Sequence, residues 1–311
     1  MGREVARAVL DSPELDLVAA MDIDPGLHGT PLDSLLDRPA GNLRVEADEK
    51  VGMAKAEGGV LLQLTGSRLP TVMDQLERAV RAGLNVVSSC EELAFPWLRH
   101  PELAERIEKL AAKSEVAVLG CGVNPGFVLD RLVCVLGAAS GKITRVVGER
   151  IVDVGERREQ LRRRVGVGLT REQFEQGVAA GKIGHVGLAE SAALISAGLG
   201  LGCDEFDEDT EPAMATEDRP GVAAGRAAGV KQSARGFAEG KEVVTLSLIL
   251  AQGAPDPHDS IRITGDPPVY FRSQVGVQGD RATAWALVNV VPAVATAEAG
   301  LMTVLDLPAG R

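Results

Sequence analysis

Four short apolar runs, at residues 17–21, 59–64, 85–89 and 116–119, alternate with stretches of helical spacing along the first part of the chain. Strands separated by helices of 10 to 15 residues form βαβ units, so this pattern predicts a parallel sheet. The expected helices are 3–11, 69–82 and 101–113; the second stops at Gly83, the residue type that most easily ends a helix. An open parallel sheet binds its ligands just beyond the carboxyl ends of its strands. The residues that follow each run are therefore the candidates for chemistry.

The pattern changes near residue 143. A long strand is expected at 143–154, then a basic run at 157–164 and a helix at 170–180. That helix opens with Thr170 and, three residues later, Gln173, the spacing of a capping box. A second helix is expected at 185–199, strands at 222–238, 241–251, 261–264 and 269–273, and a return to helix at 281–297. This second region reads as an α+β domain with a mostly antiparallel sheet, a shape that often supports pairing between subunits. The fold class is therefore α/β, with a parallel-sheet domain at 1–138 and an α+β domain at 139–278. A helical segment at 279–311 returns to the first domain.

The formal net charge of −11 and an aromatic content of 3% argue against a nucleic-acid partner. No apolar run reaches the roughly 18 residues of a membrane span, and no basic segment with a long apolar core opens the chain. Cys90, Cys121, Cys134 and Cys203 are widely spaced and read as reduced thiols of a cytoplasmic protein. His28, His100, His185 and His258 have no metal-ligand spacing, so no metal is expected.

Asp22 closes the first run, where a dinucleotide fold places the acid that holds the adenosine ribose. The strand before it should carry Gly-x-Gly-x-x-Gly and lead into a helix. Here the chain opens at the helix, and Gly2 fits the third glycine of that fingerprint. The first strand is absent; the expectation is a start assigned at an internal methionine. A true truncation, or an Asp22 that only caps a turn, are the alternatives. Asp22 favours NAD over NADP, because its charge repels a 2′-phosphate.

After the third run come Glu91 and Glu92 in the segment NVVSSCEELAFPW, residues 85–97. Either they sit at a ligand cleft, exchanging protons with substrate, or they open a helix, where acids favour the positive end of the dipole. Other distinctive stretches are GCGVNPGFVLD at 120–130, RREQLRRRVGVGL at 157–169, GHVGLAES at 184–191 and GDRATAWALVNVVPAVATAEAGLMTVLDLP at 279–308. In these the chain resembles the 2,4-diaminopentanoate dehydrogenases and related native amine dehydrogenases, two-domain proteins similar in fold to dihydrodipicolinate reductase.

The resemblance implies NAD- or NADP-dependent oxidative deamination of a primary amine to a ketone, with ammonia released, and reductive amination in reverse. It implies that 1–138 is a Rossmann-type dinucleotide-binding domain, here without its first strand, and 139–278 an α+β substrate and dimerisation domain, with a small-molecule amine or ketone substrate and a homodimer. It also assigns one of Glu91 and Glu92 to accept protons at the amine nitrogen and stabilise the iminium. The alternatives are a non-catalytic truncated relative without cofactor, and a dihydrodipicolinate reductase-like enzyme with another substrate.

Further cofactor contacts are expected at Thr65, Gly66, Ser89, Asn124, Pro125 and Asn289, and substrate contacts at Cys121, Val123, Phe127, Arg158 and His185. Each has a plainer reading. Thr65-Gly66-Ser67 is equally a strand-to-helix turn, and the 122–126 segment a turn chosen for its shape. Asn289 sits in an apolar helix and needs a partner of some kind. Capping or packing is the better reading of His185. The arginines at 157, 158, 162, 163 and 164 usually form a solvated face, although one could bind a substrate carboxylate.

Overall fold

The computed structural model describes residues 1–155, 159–308 and 310. The chain divides into two compact units, Met1–Phe127 with Gln278–Arg311, and Val128–Val277. The first crossing therefore falls before residue 138, where the sequence pattern had put it. Asp130 explains the shift: its carboxylate accepts from Arg131 N–H at 2.6 Å and from Ser191 Oγ–H at 2.8 Å. That bond ties the helix beginning at Arg131 into the second unit.

In the first unit the elements are α1 (Gly2–Asp11), β1 (Ala20–Met21), α2 (Leu32–Leu36), β2 (Val45–Glu46), α3 (Glu49–Ala54), β3 (Val60–Gln63), α4 (Leu69–Arg81), β4 (Asn85–Ser88), α5 (Pro101–Lys113) and β5 (Ala117–Gly120). The second unit contains α6 (Arg131–Gly137), β6 (Gly141–Asp153), α7 (Glu159–Arg164), α8 (Arg171–Ala179), α9 (Leu188–Leu199), β7 (Glu205–Met214), β8 (Ala227–Ala238), β9 (Lys241–Ala251), β10 (His258–Asp266) and β11 (Val269–Arg272). The chain then returns to the first unit with α10 (Gly279–Asn289), α11 (Val291–Ala295) and β12 (Gly300–Met302).

The architecture is α/β, with a parallel sheet of order β12-β5-β4-β3 in the first unit. Both faces of that sheet are covered. Val86 and Val118 pack with Leu69, Val72, Leu76, Leu93 and Ile107 in one core. Strand alternation sends Val87 and Leu119 to the opposite face, where they too are fully buried and α11 contacts the strands. The helices α4 and α5 start with Pro in the first turn, which lacks only an N–H that would be orphaned there.

The expected strand at 17–21 shrinks to the two residues of β1, which pair with β2 in a separate parallel ladder. Val18 is 40% exposed, so this run is not buried on both faces as a central strand would be.

The second unit is a mixed six-stranded sheet, order β11-β10-β6-β9-β8-β7, in which only the β6–β9 pair is parallel. The helix α9 is buried from Leu188 to Ser196 and packs on β7, β8 and β9. Residues 185–187 are not part of it, contrary to the helix expected from 185. Gly184 and Gly187, at φ +121° and +101°, hold that segment in a conformation an L side chain rarely adopts.

The capping box of α8 is formed in both directions: Gln173 N–H donates to Thr170 Oγ1 at 3.1 Å, and Thr170 N–H to Gln173 Oε1 at 3.0 Å. Thr170→Ala is expected to lower unfolding stability by about 1 kcal/mol, measurable by urea denaturation. No loss would mean the end of α8 is frayed in solution. Among the described residues, no helix is long and apolar enough to cross a membrane. No group of three or more His, Cys, Asp or Glu side chains there is arranged to hold a metal ion.

Candidate active site

The register of the parallel sheet sets three strand ends level. Gln63 pairs with Ser88, and Ser88 with Gly120. The pairing runs one residue further: Ser89 N–H donates to the Gln63 carbonyl at 3.0 Å, and Cys121 N–H to the Ser88 carbonyl at 2.8 Å. Thr65-Gly66-Ser67, Ser89-Cys90-Glu91 and the 121–127 loop therefore leave the sheet side by side. Asp22 follows β1 directly and is exposed. Its Oδ1 accepts the Asp24 N–H at 2.9 Å, and its carbonyl accepts from His28 Nε2 at 2.8 Å.

After β4 the chain enters a 3₁₀ turn, Glu91–Ala94. The two acids in it have different fates. Glu92 is 2% exposed. Its carboxylate accepts from Leu69 N–H at 2.8 Å, from His100 Nε2 at 2.9 Å and from Arg68 Nη1 at 3.2 Å. The first backbone N–H groups of a helix have no partner within it. Here a remote carboxylate supplies one, at the end of α4 where negative charge is favoured. Glu91 is only half-buried. Of the pair, it is the one placed for exchange with solvent or ligand.

Cys90 lies between Ser89 and Glu91. Burial above all, with the charges of Glu91 and Glu92 adding to it, pushes its thiol up to about 12. It is therefore a neutral packing group and not a thiolate nucleophile.

The loop after β5 is built by glycines. Gly120 lets the 3₁₀ turn sit directly on the strand, since a Cβ there would lie 2.6 Å from Ala94 N. Gly126 has φ +124°, and a Cβ on it would lie 2.7 Å from the Gly122 carbonyl oxygen. The Asn124–Pro125 peptide is cis, and Asn124 is 8% exposed. Cys121 and Val123, at 4% and 8% exposure, face α10: the Cys121 thiol lies 3.8 Å from the Ala286 carbonyl, and Val123 N–H donates to Thr283 Oγ1 at 3.4 Å. Phe127 is 40% exposed. Asn289 is the last residue of α10, at its end and not in its interior, and is half-buried.

The second unit holds His185. Its N–H donates to Gln232 Oε1 at 3.0 Å and its carbonyl accepts from Gln232 Nε2 at 2.8 Å, so a side chain on β8 fixes its backbone. Arg157 and Arg158 lie outside the described residues. Arg162, on α7, donates to Gln252 Oε1 at 2.8 Å.

A polar network at the end of β3 escaped the sequence reading. Gln63, 3% exposed, accepts from Ser88 Oγ and donates to Thr65 Oγ1 and to Gln75 Oε1. A glutamine closing an apolar strand, with a serine closing the next, was its available signal.

Taken by chemistry, the set suits a dinucleotide. A ten-residue helix, α1, has Gly2 in its first turn, and helix N-termini attract phosphate. An exposed carboxylate follows β1, and hydroxyl and amide groups follow β3, β4 and β5.

Comparison with known proteins agrees. Residues 127–311 match the family model of the 2,4-diaminopentanoate dehydrogenase C-terminal domain. The 2,4-diaminopentanoate dehydrogenase of Acetoanaerobium sticklandii is 29% identical, over all of this chain and 91% of its own length. Among solved structures, the amine dehydrogenase of Mycobacterium smegmatis superposes with a TM-score of 0.87 at 23% identity, covering 100% of this chain and 94% of that one. The WlbA dehydrogenase of Bordetella pertussis, solved with NADH and UDP-GlcNAcA, gives 0.55 at 16% identity, covering 97% and 87%. The two solved structures establish the fold, a Rossmann-type domain with a second domain; the family match spans more than half of the chain, which therefore belongs to the 2,4-diaminopentanoate dehydrogenase family.

Proposed function

We propose that the protein is a nicotinamide-dinucleotide-dependent dehydrogenase that oxidises a primary amine to a ketone and releases ammonia, with reductive amination as the reverse. The observation that carries this reading is the division of labour at the end of β4. Glu92 is buried under three donors, and Glu91 stands half-exposed beside the β3 and β5 strand ends. The names of the relatives support the substrate class. The A. sticklandii protein is a 2,4-diaminopentanoate dehydrogenase, and the M. smegmatis fold neighbour is an amine dehydrogenase.

In this reading α1, beginning at Gly2, would hold the pyrophosphate, and Asp22 the adenosine ribose. Thr65, Gly66, Ser89, Asn124, Pro125 and Asn289 would line the path to the nicotinamide. When bound, the dinucleotide supplies the hydride acceptor. Everything else falls to the chain. Glu91 takes a proton from the substrate ammonium, leaving the neutral amine whose carbon can release hydride. The same carboxylate, once its proton has passed to solvent, stabilises the iminium cation. It then accepts a proton from the water that attacks that carbon and passes it to the nitrogen, and ammonia departs as the hydroxyl gives up its remaining proton to form the ketone. Cys121, Val123 and Phe127, in the loop after β5, are proposed substrate contacts, as are His185 and Arg158.

The test is direct. The protein is mixed with NAD⁺ or NADP⁺ and 2,4-diaminopentanoate, a simple alkylamine, or the alcohol of the same skeleton. Reduced cofactor is expected with an amine and not with the alcohol. The opposite result would replace amine chemistry by alcohol chemistry.

Asp22 sets the cofactor in this reading. Its charge opposes a 2′-phosphate, so NAD is favoured. Asp22→Ser is expected to weaken NADH about 10–100-fold, the worth of charge-assisted hydrogen bonds at about 1.5–3 kcal/mol, without weakening NADPH. Parallel fluorescence titrations check this; an unchanged ratio of affinities would remove Asp22 from the site.

A further inference from the structure

We infer that Glu92 is a positioning residue, whose buried carboxylate fixes the 3₁₀ turn that carries Glu91. The inference rests on the reading of Glu91 given above. An acid that merely opened a turn would stay in water, because burying a carboxylate is expensive unless donors replace its hydration. Glu92 is 2% exposed and has those donors on two separate elements. Leu69 N–H and Arg68 belong to the start of α4, and His100 lies just before α5. The backbone adds a further tie, since Glu92 N–H donates to the Ser67 carbonyl at 3.2 Å.

The turn is pinned from its other sides as well. Leu93 is fully buried in the core beneath α4 and α5. Gly120 brings β5 against the turn so closely that a Cβ would lie 2.6 Å from Ala94 N. Glu91 is the first residue of this held segment. The direction of its side chain is set by a backbone that Glu92 anchors one residue later. A proton acceptor misplaced by about 1 Å can lose about 10²-fold in rate, so an anchor of this kind has a catalytic consequence without touching substrate.

The experiment has two arms on the full-length protein. The first is amide hydrogen exchange. Glu92→Ala is expected to accelerate exchange in residues 91–98 while β4 and β5 keep their protection. Unchanged exchange there would overturn the anchor. The second is a double-mutant cycle in amine oxidation, with 2,4-diaminopentanoate as the probe.

Glu92→Ala is expected to lower kcat about 10²-fold, with NADH affinity retained. It should cost nothing further in a Glu91→Gln background, because an effect transmitted through Glu91 vanishes with that carboxylate. Glu92→Gln keeps an acceptor for Leu69 N–H and should recover part of the rate. Gly120→Ala displaces the turn without altering any carboxylate and should follow the same rule. It and Glu92→Gln carry the comparison if Glu92→Ala does not fold.

Losses that multiply in the double variant would make Glu92 act independently of Glu91, and the inference would fall. A fully active Glu91→Gln protein would instead overturn the functional reading beneath it, while the exchange arm still decides the anchor.

Discussion

Glu91→Gln is expected to reduce amine turnover by about 10²–10⁴-fold, the usual worth of a general acid–base group, while NADH still binds. The amide keeps the size of the carboxylate and loses its basicity and charge. It can neither take the ammonium proton nor stabilise an iminium. The half-exposed Glu91 is not one of the groups that bury Glu92, which are Leu69, Arg68 and His100. Steady-state kinetics with a matched NADH titration separate the two effects. Full turnover in the variant would show that proton transfer is handled elsewhere, and weakened NADH with intact turnover would move Glu91 to the cofactor.

The largest stability effect is expected in the second unit. Arg150 on β6 and Asp259 on β10 are paired at 2.6 Å with side-chain exposures of 4% and 1%. The pair also closes the chain's exit from the sheet: Val277 N–H donates to Asp259 Oδ2 at 2.7 Å, and Arg150 Nη2 donates to the Val277 carbonyl at 2.5 Å. Asp259→Ala would take from a buried guanidinium the carboxylate that faces it at 2.6 Å. Removing one partner of such a pair costs about 3–5 kcal/mol. For a unit of this size that is a fall in Tm of about 6–20 °C, readable by calorimetry. Replacing both residues, Arg150→Met with Asp259→Leu, should cost much less, because no charge remains to be buried. Equal losses in the single and double variants would mean that the pair contributes through packing and not through charge.

How legible the molecule is in its sequence depends on the length and neighbours of each element. The helices α4 and α5 announce themselves through a regular apolar stripe and a proline in the first turn, and the capping box of α8 is written in two residues. The strand β12 is three residues long, too short for any period to register. The strand β7 reads Glu-Phe-Asp-Glu-Asp-Thr-Glu, a poor strand by composition. It lies at the sheet edge, where acids face water and discourage further pairing. The apolar run at 17–21 reads as a five-residue strand, yet only Ala20 and Met21 find a partner.

Within the site, the parallel ladder follows from the alternation of strands and helices, so the residues at the strand ends could be named in advance. What the sequence could not reveal is the difference between Glu91 and Glu92. They are adjacent and chemically identical, and the donors that bury Glu92 at the start of α4 lie more than twenty positions away. The Gln63 network is hidden for the same reason: Ser88 meets Gln63 only once β3 and β4 are aligned.

The most direct test of the account is the stoichiometry of ammonia to reduced cofactor when the protein oxidises 2,4-diaminopentanoate. Oxidative deamination predicts one ammonia released for each NADH or NADPH formed, in wild type and in whatever residual rate Glu91→Gln retains. Reduced cofactor accumulating without ammonia would contradict the account, because the hydride would then be leaving a carbon that does not bear the departing nitrogen.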